Sequence, residues 1–271
     1  MTDFWREVTA GGFVTHALVA VLLANVACAM VGTYVVVRRV GHLAGGIAHM
    51  ALGGMGAAVY AGAAPIVGAV IAAVAGAVVV GLVTLRGLQG EDTIVNALWA
   101  TGMAAGILFL SLTPGYNADL LSYLFGNVLM VTRTDILVLA GLDLLVVALV
   151  VTFGRPLAAV CFDEEFARTR GLPTGAIYLL LLVVVALTVV ALVRIVGLIL
   201  VIALLTLPVA TAGLFRRSLV GIMVAAALIG TAAGVGGLAV SFAADVPSGV
   251  TIVLLNGLCY LTALVLAWSR R

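Results

Sequence analysis

At 271 residues, 65% hydrophobic and only 9% charged, with a mean hydropathy of +1.34, the chain excludes a soluble globular domain, whose surface needs far more polar residues. A net charge of +2 gives no reason to expect nucleic acid as a partner. All 13 basic residues are arginine, and the three cysteines, Cys28, Cys161 and Cys259, have no CxxC spacing, so neither a disulfide framework nor a structural zinc site is expected. Asp3 and Glu7 precede the first apolar run and no cleavage pattern follows, so that run reads as a retained span.

Apolar runs near 20 residues are long enough to cross a hydrocarbon core of about 30 Å. They recur along the whole chain and predict an all-α polytopic membrane protein with one transmembrane domain over residues 1–271. In order, the predicted spans are 12–37, which ends at Arg38-Arg39; 44–61, rich in Gly and Ala; 65–85, which ends at Arg86; and 93–112, which stops before Thr113-Pro114-Gly115. A piece at 119–130 is too brief to cross and reads as a short re-entrant helix. Spans at 134–154, 175–193, 195–214, 219–241 and 249–268 follow, giving nine crossings, or eight if one pair is a broken element.

The arginines orient this topology. If the stretch after residue 154 is cytoplasmic, Arg38, Arg39, Arg86, Arg155, Arg168, Arg170, Arg216, Arg217, Arg270 and Arg271 all lie inside, and only Arg6, Arg133 and Arg194 outside. That is a strong positive-inside bias. It places the N-terminus outside and the C-terminus in the cytoplasm. No nucleotide-binding glycine loop with a lysine is present, so any ATPase must be another chain.

Between two apolar runs stands Phe162-Asp163-Glu164-Glu165-Phe166-Ala167-Arg168-Thr169-Arg170-Gly171-Leu172-Pro173. Acids lead and arginines follow, the order a helix dipole favours, and Gly171 with Pro173 forms a usual helix stop. Phe162, Phe166 and Leu172 give it a small apolar side. It reads either as a short helix gripped by a soluble partner or as a solvated loop.

Polar groups inside a membrane are costly and are functional candidates by default. His49 is the sharpest, set in Ala44-Gly45-Gly46-Ile47-Ala48-His49-Met50-Ala51-Leu52-Gly53-Gly54. Small residues let neighbouring backbones, or a substrate, come close, and imidazole is a common ligand of transition metals. A histidine hydrogen-bonded between helices fits the same pattern. His42 and His16 read as interfacial. Asp119 and Asp245 sit at outer mouths, where each either caps the next helix or attracts cations. Asp143, inside an apolar span, should face the bundle with Asn25, Asn127 or Asn256 as partner. Pro208 should break or kink its helix, and such breaks often line transport pathways. Glu91-Asp92-Thr93 reads as a dipole-favoured helix start. No HExxH, no GxSxG and no aspartate pair at matching depth appears, so catalysis has little support.

Several of these stretches resemble the permease subunits of ATP-binding-cassette importers of zinc, manganese or iron ions. They are Arg38-Arg39 leading to Ala48-His49, Glu91-Asp92-Thr93, the run Asp119-Leu120-Leu121-Ser122-Tyr123-Leu124-Phe125-Gly126-Asn127, and Asp163-Glu164-Glu165-Phe166-Ala167-Arg168 with Gly171. Val196-Gly197-Leu198 through Ala212, and Pro247-Ser248-Gly249-Val250-Thr251-Ile252, complete the set. The resemblance implies two permease copies as a homodimer, two cytoplasmic ATPase subunits docked at the coupling stretch 162–171, and an external metal-binding protein delivering the ion. It implies no permanently bound cofactor, the metal ion being cargo, and a prokaryotic inner membrane as the location. The family commonly carries an aspartate four residues before the histidine; here that position is Gly45. A metal chelate is the alternative cargo, since a path lined by Gly45 and Gly46 would be wide. An ion-driven secondary transporter, which needs no docked ATPase, is the remaining reading.

Overall fold

The computed structural model describes residues 12–113, 126 and 128–269. The described residues form helices and turns without strands. The helices are α1 (Phe13–Val37), α2 (Gly41–Tyr60), α3 (Pro65–Leu85), α4 (Glu91–Leu112), α5 (Arg133–Phe162), α6 (Glu164–Thr169), α7 (Thr174–Val196), α8 (Leu198–Phe215), α9 (Leu219–Ala244) and α10 (Ser248–Trp268), with a 3-10 turn at Val128–Met130. Among the described residues nine helices, all but α6, are long and apolar enough to span a membrane. With no water to pair their backbone groups in lipid, helices satisfy those groups internally. Ends are set by local chemistry: Pro65 stands in the first turn of α3, where its missing N–H costs nothing, and the Ser218 side chain accepts from the Gly221 N–H at 3.2 Å to start α9.

The chain divides into two compact units. Unit 2 holds residues 37–120 and 151–190. In it, α2 packs against both α3 and α4 along a seam of glycines. A Cβ at Gly53 would lie 2.7 Å from the Gly102 carbonyl oxygen, and one at Gly56 2.7 Å from that of Gly106. On its other side, Gly54 faces the Gly68 backbone. Here small residues bring backbones together directly.

Unit 1 holds residues 1–36, 121–150 and 191–271, with α8, α9 and α10 packed on one another. Gly237 lets α9 rest on α10, where a Cβ would meet the Ile252 Cα at 2.8 Å. The outward residues of α10 include Leu254, Leu258, Leu261 and Val265, a one-sided apolar stripe at helical spacing that suits lipid.

Four expectations change. α5 continues to Phe162 rather than stopping at 154, so Arg155 and Pro156 lie inside a 30-residue helix. Thirty residues span about 45 Å, more than the hydrocarbon core needs. α7 runs to Val196, placing Arg194 within the helix, and the break comes at Gly197, whose φ of +81° is the conformation only glycine takes cheaply. α8 passes through Pro208 without interruption, so the proline removes one backbone bond but makes no break. Asp143 is buried as expected, but beside Ala27 and Cys28 of α1. Asn25 and Asn256 instead donate to carbonyls of their own helices, Val21 and Ile252. The re-entrant piece lies outside the described residues, apart from Gly126 and the turn at 128–130.

Candidate functional site: the α2–α4 seam and the α6 cap

His49 lies on α2 and is buried. Its Nδ1 is 2.8 Å from the Gly45 carbonyl oxygen. That oxygen only accepts, so Nδ1 carries the hydrogen, and in the neutral ring Nε2 keeps the lone pair. The ring also stacks on Trp99 of α4, with centroids 4.5 Å apart and planes 23° apart. One backbone bond and one aromatic face thus fix the orientation of the imidazole. Gly45, where the resembled family has its aspartate, contributes its backbone carbonyl to this orientation.

The rest of the glycine run serves packing. At Gly46 a Cβ would meet Val95 Cγ1 at 2.6 Å, and at Gly102 it would meet Met50 Cα at 2.8 Å. Gly46 is therefore filled by α4 and does not line a wide channel.

Seven residues before His49 on α2, His42 places Nε2 2.8 Å from Asp92 Oδ1 in the first turn of α4. Asp92 is likewise seven residues before Trp99. Glu91 and Asp92 make the dipole-favoured start expected of them, after Gly90 as the cap residue.

The charged stretch forms α6 as a helix closed at both ends by its own residues. Asp163 is the N-cap, its Oδ1 accepting from the Phe166 N–H at 2.9 Å. At the far end the Leu172 N–H donates to the Ala167 carbonyl and the Gly171 N–H to that of Arg168, with Gly171 at φ +76°. This is the paired-bond stop that a left-handed glycine makes. Glu164 and Arg168 form a longer i,i+4 contact of 3.7 Å. Ala167 is buried, whereas Phe162, Glu165, Phe166 and Arg168 are exposed, so the two phenylalanines expected as an apolar side face outward.

α6 is tied to its own unit by Arg38 at the end of α1. One guanidinium nitrogen donates to the Val160 carbonyl at 2.8 Å, a second to Glu164 Oε2 at 2.8 Å, and the group lies 4.7 Å over the Tyr178 ring. Tyr178 in turn lies beside Glu91 and Thr84. Such charge-assisted bonds are the stronger class.

The remaining predicted residues are placed as follows. Asp245 is exposed, in the left-handed conformation at φ +52°, and ends α9; Pro247 takes the cap position of α10, so the expected capping of the last span by Asp245 is replaced. Asp119 lies outside the described residues. Among the described residues no three His, Cys, Asp or Glu side chains converge on one point. The residues missed from sequence are Trp99, Arg38 as an anchor, and the His42–Asp92 pair. The common spacing of seven between His42 and His49 and between Asp92 and Trp99 was the available signal.

The family model of the ABC 3 transport family matches residues 11–267. The chain belongs to that family. It is a permease subunit of an ATP-binding-cassette transporter. It is 34% identical to the manganese transport system membrane protein MntC of Halalkalibacterium halodurans, over 94% of this chain and 87% of that protein. It is 32% identical to the chelated iron transport system membrane protein YfeD of Yersinia pestis, over 93% and 85%. Among solved structures it is similar to a chain of PsaBC from Streptococcus pneumoniae in complex with Fab, at a TM-score of 0.86 and 26% identity, covering 97% of this chain and 94% of that one.

Proposed function

We propose that this permease forms the membrane path for uptake of a divalent transition metal ion (zinc, manganese or iron), delivered by an extracytoplasmic binding protein, with His49 on the path. The observation that carries the reading is a buried histidine whose Nδ1 is held by the Gly45 carbonyl and whose ring is held by Trp99. This leaves one nitrogen lone pair for a cation. A single imidazole binds weakly, which suits a cargo that must also leave. The permease acts as a homodimer with two ATPase subunits in a prokaryotic inner membrane, N-terminus outside and C-terminus in the cytoplasm, an orientation the arginine distribution supports. Asp119 and Asp245 attract cations at the outer mouth.

The outward side chains of Phe162, the last residue of α5, and of Glu165, Phe166 and Arg168 on α6 dock on the ATPase. ATP-driven closure of the ATPase pair moves α6, and through Arg38 and Glu164 the movement reaches the rest of unit 2. The path then opens inward by alternating access. A chelate as cargo draws less support, because Gly46 is filled by Val95.

The test is ATP-dependent uptake of zinc, manganese and ferrous iron by the permease reconstituted with its ATPase and binding protein. One ion should accumulate, and His49→Ala should lower its uptake at least tenfold with the chain still folded. Glu165→Ala with Arg168→Ala should lower uptake equally while metal binding survives. Normal uptake by His49→Ala would remove that residue from the path, and failure of every bare ion would return the chelate as cargo.

A further inference from the structure

We infer that His42 and Asp92 form a second coordination station for the transported divalent metal ion, two helical turns from His49 toward the arginine-rich end of α2. The inference rests on the reading of His49 as part of a metal path.

Three observations carry it. The first is the ligand set. An imidazole nitrogen and a carboxylate oxygen form the mixed pair that suits zinc, iron and manganese, and it is the pair that Gly45 denies to His49.

The second is geometry. His42 Nε2 and Asp92 Oδ1 are 2.8 Å apart, yet Nε2 makes no hydrogen bond to any described residue. The two atoms converge without the alignment an N–H donor needs. Adjacent ligands of a six-coordinate ion, each at about 2.1 Å, stand about 3 Å apart. The pair is therefore spaced to share one ion, with water completing the shell.

The third is register. His42 and His49 are seven residues apart on α2, and Asp92 and Trp99 seven apart on α4. Seven residues return to nearly the same helix face, drifting only about 20°, and advance about 10.5 Å. His49 meets Trp99 and His42 meets Asp92, so the same two helix faces carry both contacts. Because the glycines at 53, 56, 102 and 106 hold α2 and α4 backbone to backbone, the two rungs keep fixed spacing. Exposure rises between them: His49 is a buried residue, whereas the His42 and Asp92 side chains are 29% and 83% exposed. An ion at the second rung is therefore partly hydrated, which suits a release site.

The experiment uses the full-length chain in lipid nanodiscs, titrated with Mn2+ and separately with Zn2+, counting ions bound by equilibrium dialysis. His49→Ala provides a background in which only the inner station remains. His42→Gln and Asp92→Asn in that background should each lose the remaining ion or weaken it at least tenfold. His42→Arg is the deciding variant. It preserves a cation opposite Asp92 and so preserves a purely structural ion pair, but guanidinium cannot ligate a metal. Loss of the ion in His42→Arg, at unchanged thermal stability, supports the station. Retention of the ion in His42→Arg or His42→Gln overturns it. If the ion is lost in the wild-type chain as well, the metal-path reading itself fails, an outcome distinct from failure of the inner station alone.

Discussion

Two glycine-rich seams in this permease look alike in composition and differ in what the glycines face. In unit 2, Gly53 and Gly56 of α2 abut the carbonyl oxygens of Gly102 and Gly106. In unit 1, Gly230 and Gly234 of α9 receive side chains from α1: Asn25 lies against Gly230, and Val21 and Asn25 against Gly234. A backbone has nowhere to retreat, whereas a side chain can turn. The α2–α4 seam is therefore a rigid register that fixes His49 against Trp99. The α1–α9 contact is a cradle with slack.

The largest effect is expected where backbone meets backbone. Gly53→Ala should cost about 3 kcal/mol, at the upper end for overpacking, seen as a marked drop in the thermal midpoint of the purified chain. It should also lower metal uptake by shifting α2 against α4. A midpoint unchanged within a degree would show that the seam yields and that its glycines are not a register.

A smaller loss, about 1 kcal/mol, is expected for Gly230→Ala, because Asn25 must rotate and strain its 2.8 Å bond to the Val21 carbonyl. The cradle makes a sharper demand through a double-mutant cycle. In an Asn25→Ala background the same Gly230→Ala change should cost almost nothing, a coupling of about 1 kcal/mol. Strict additivity would show that Asn25 is not what Gly230 accommodates.

Smallest of all is Gly236→Ala on α9. The added Cβ would stand 3.5 Å from Leu255 Cδ1, ordinary contact. The change should be neutral or stabilise by about 0.5–1 kcal/mol through lower chain entropy. Destabilisation above 1 kcal/mol would mean that α9 has no slack even where its glycine meets only a side chain.

What the sequence revealed follows the range of the forces involved. The nine spans are legible because hydropathy over 20 residues is a sum that no single contact overturns. The ends of α6 are legible because Asp163 and Gly171 act within four residues of where they stand. Arg38 is different. It was legible as a charge at a membrane edge, but its partners, Val160 and Glu164, lie more than 120 residues away in sequence. Asp143 was rightly read as buried, while its neighbours were misjudged, because the side-chain amides of Asn25 and Asn256 donate to carbonyls of their own helices. The same limit applies to Trp99, whose role depends on α2 and α4 packing in one register. Pro208 shows the converse: the break that a single proline suggested does not occur, since a long apolar helix carries a missing backbone bond without ending.

The doubly closed ends of α6 have a bearing on how transporter subunits recognise one another. A segment that needs a partner to take shape links its conformation to that partner, so the two must change together. The ends of α6 are set by Asp163 and Gly171 and its seat by Arg38 on Glu164, which leaves Phe162 just before it, and Glu165, Phe166 and Arg168 on it, free to vary without unfolding it. On the docking proposed above, recognition and architecture are separable in this helix. Exchanging those four side chains for those of a related permease, and nothing else, should suffice to redirect the chain to a foreign ATPase.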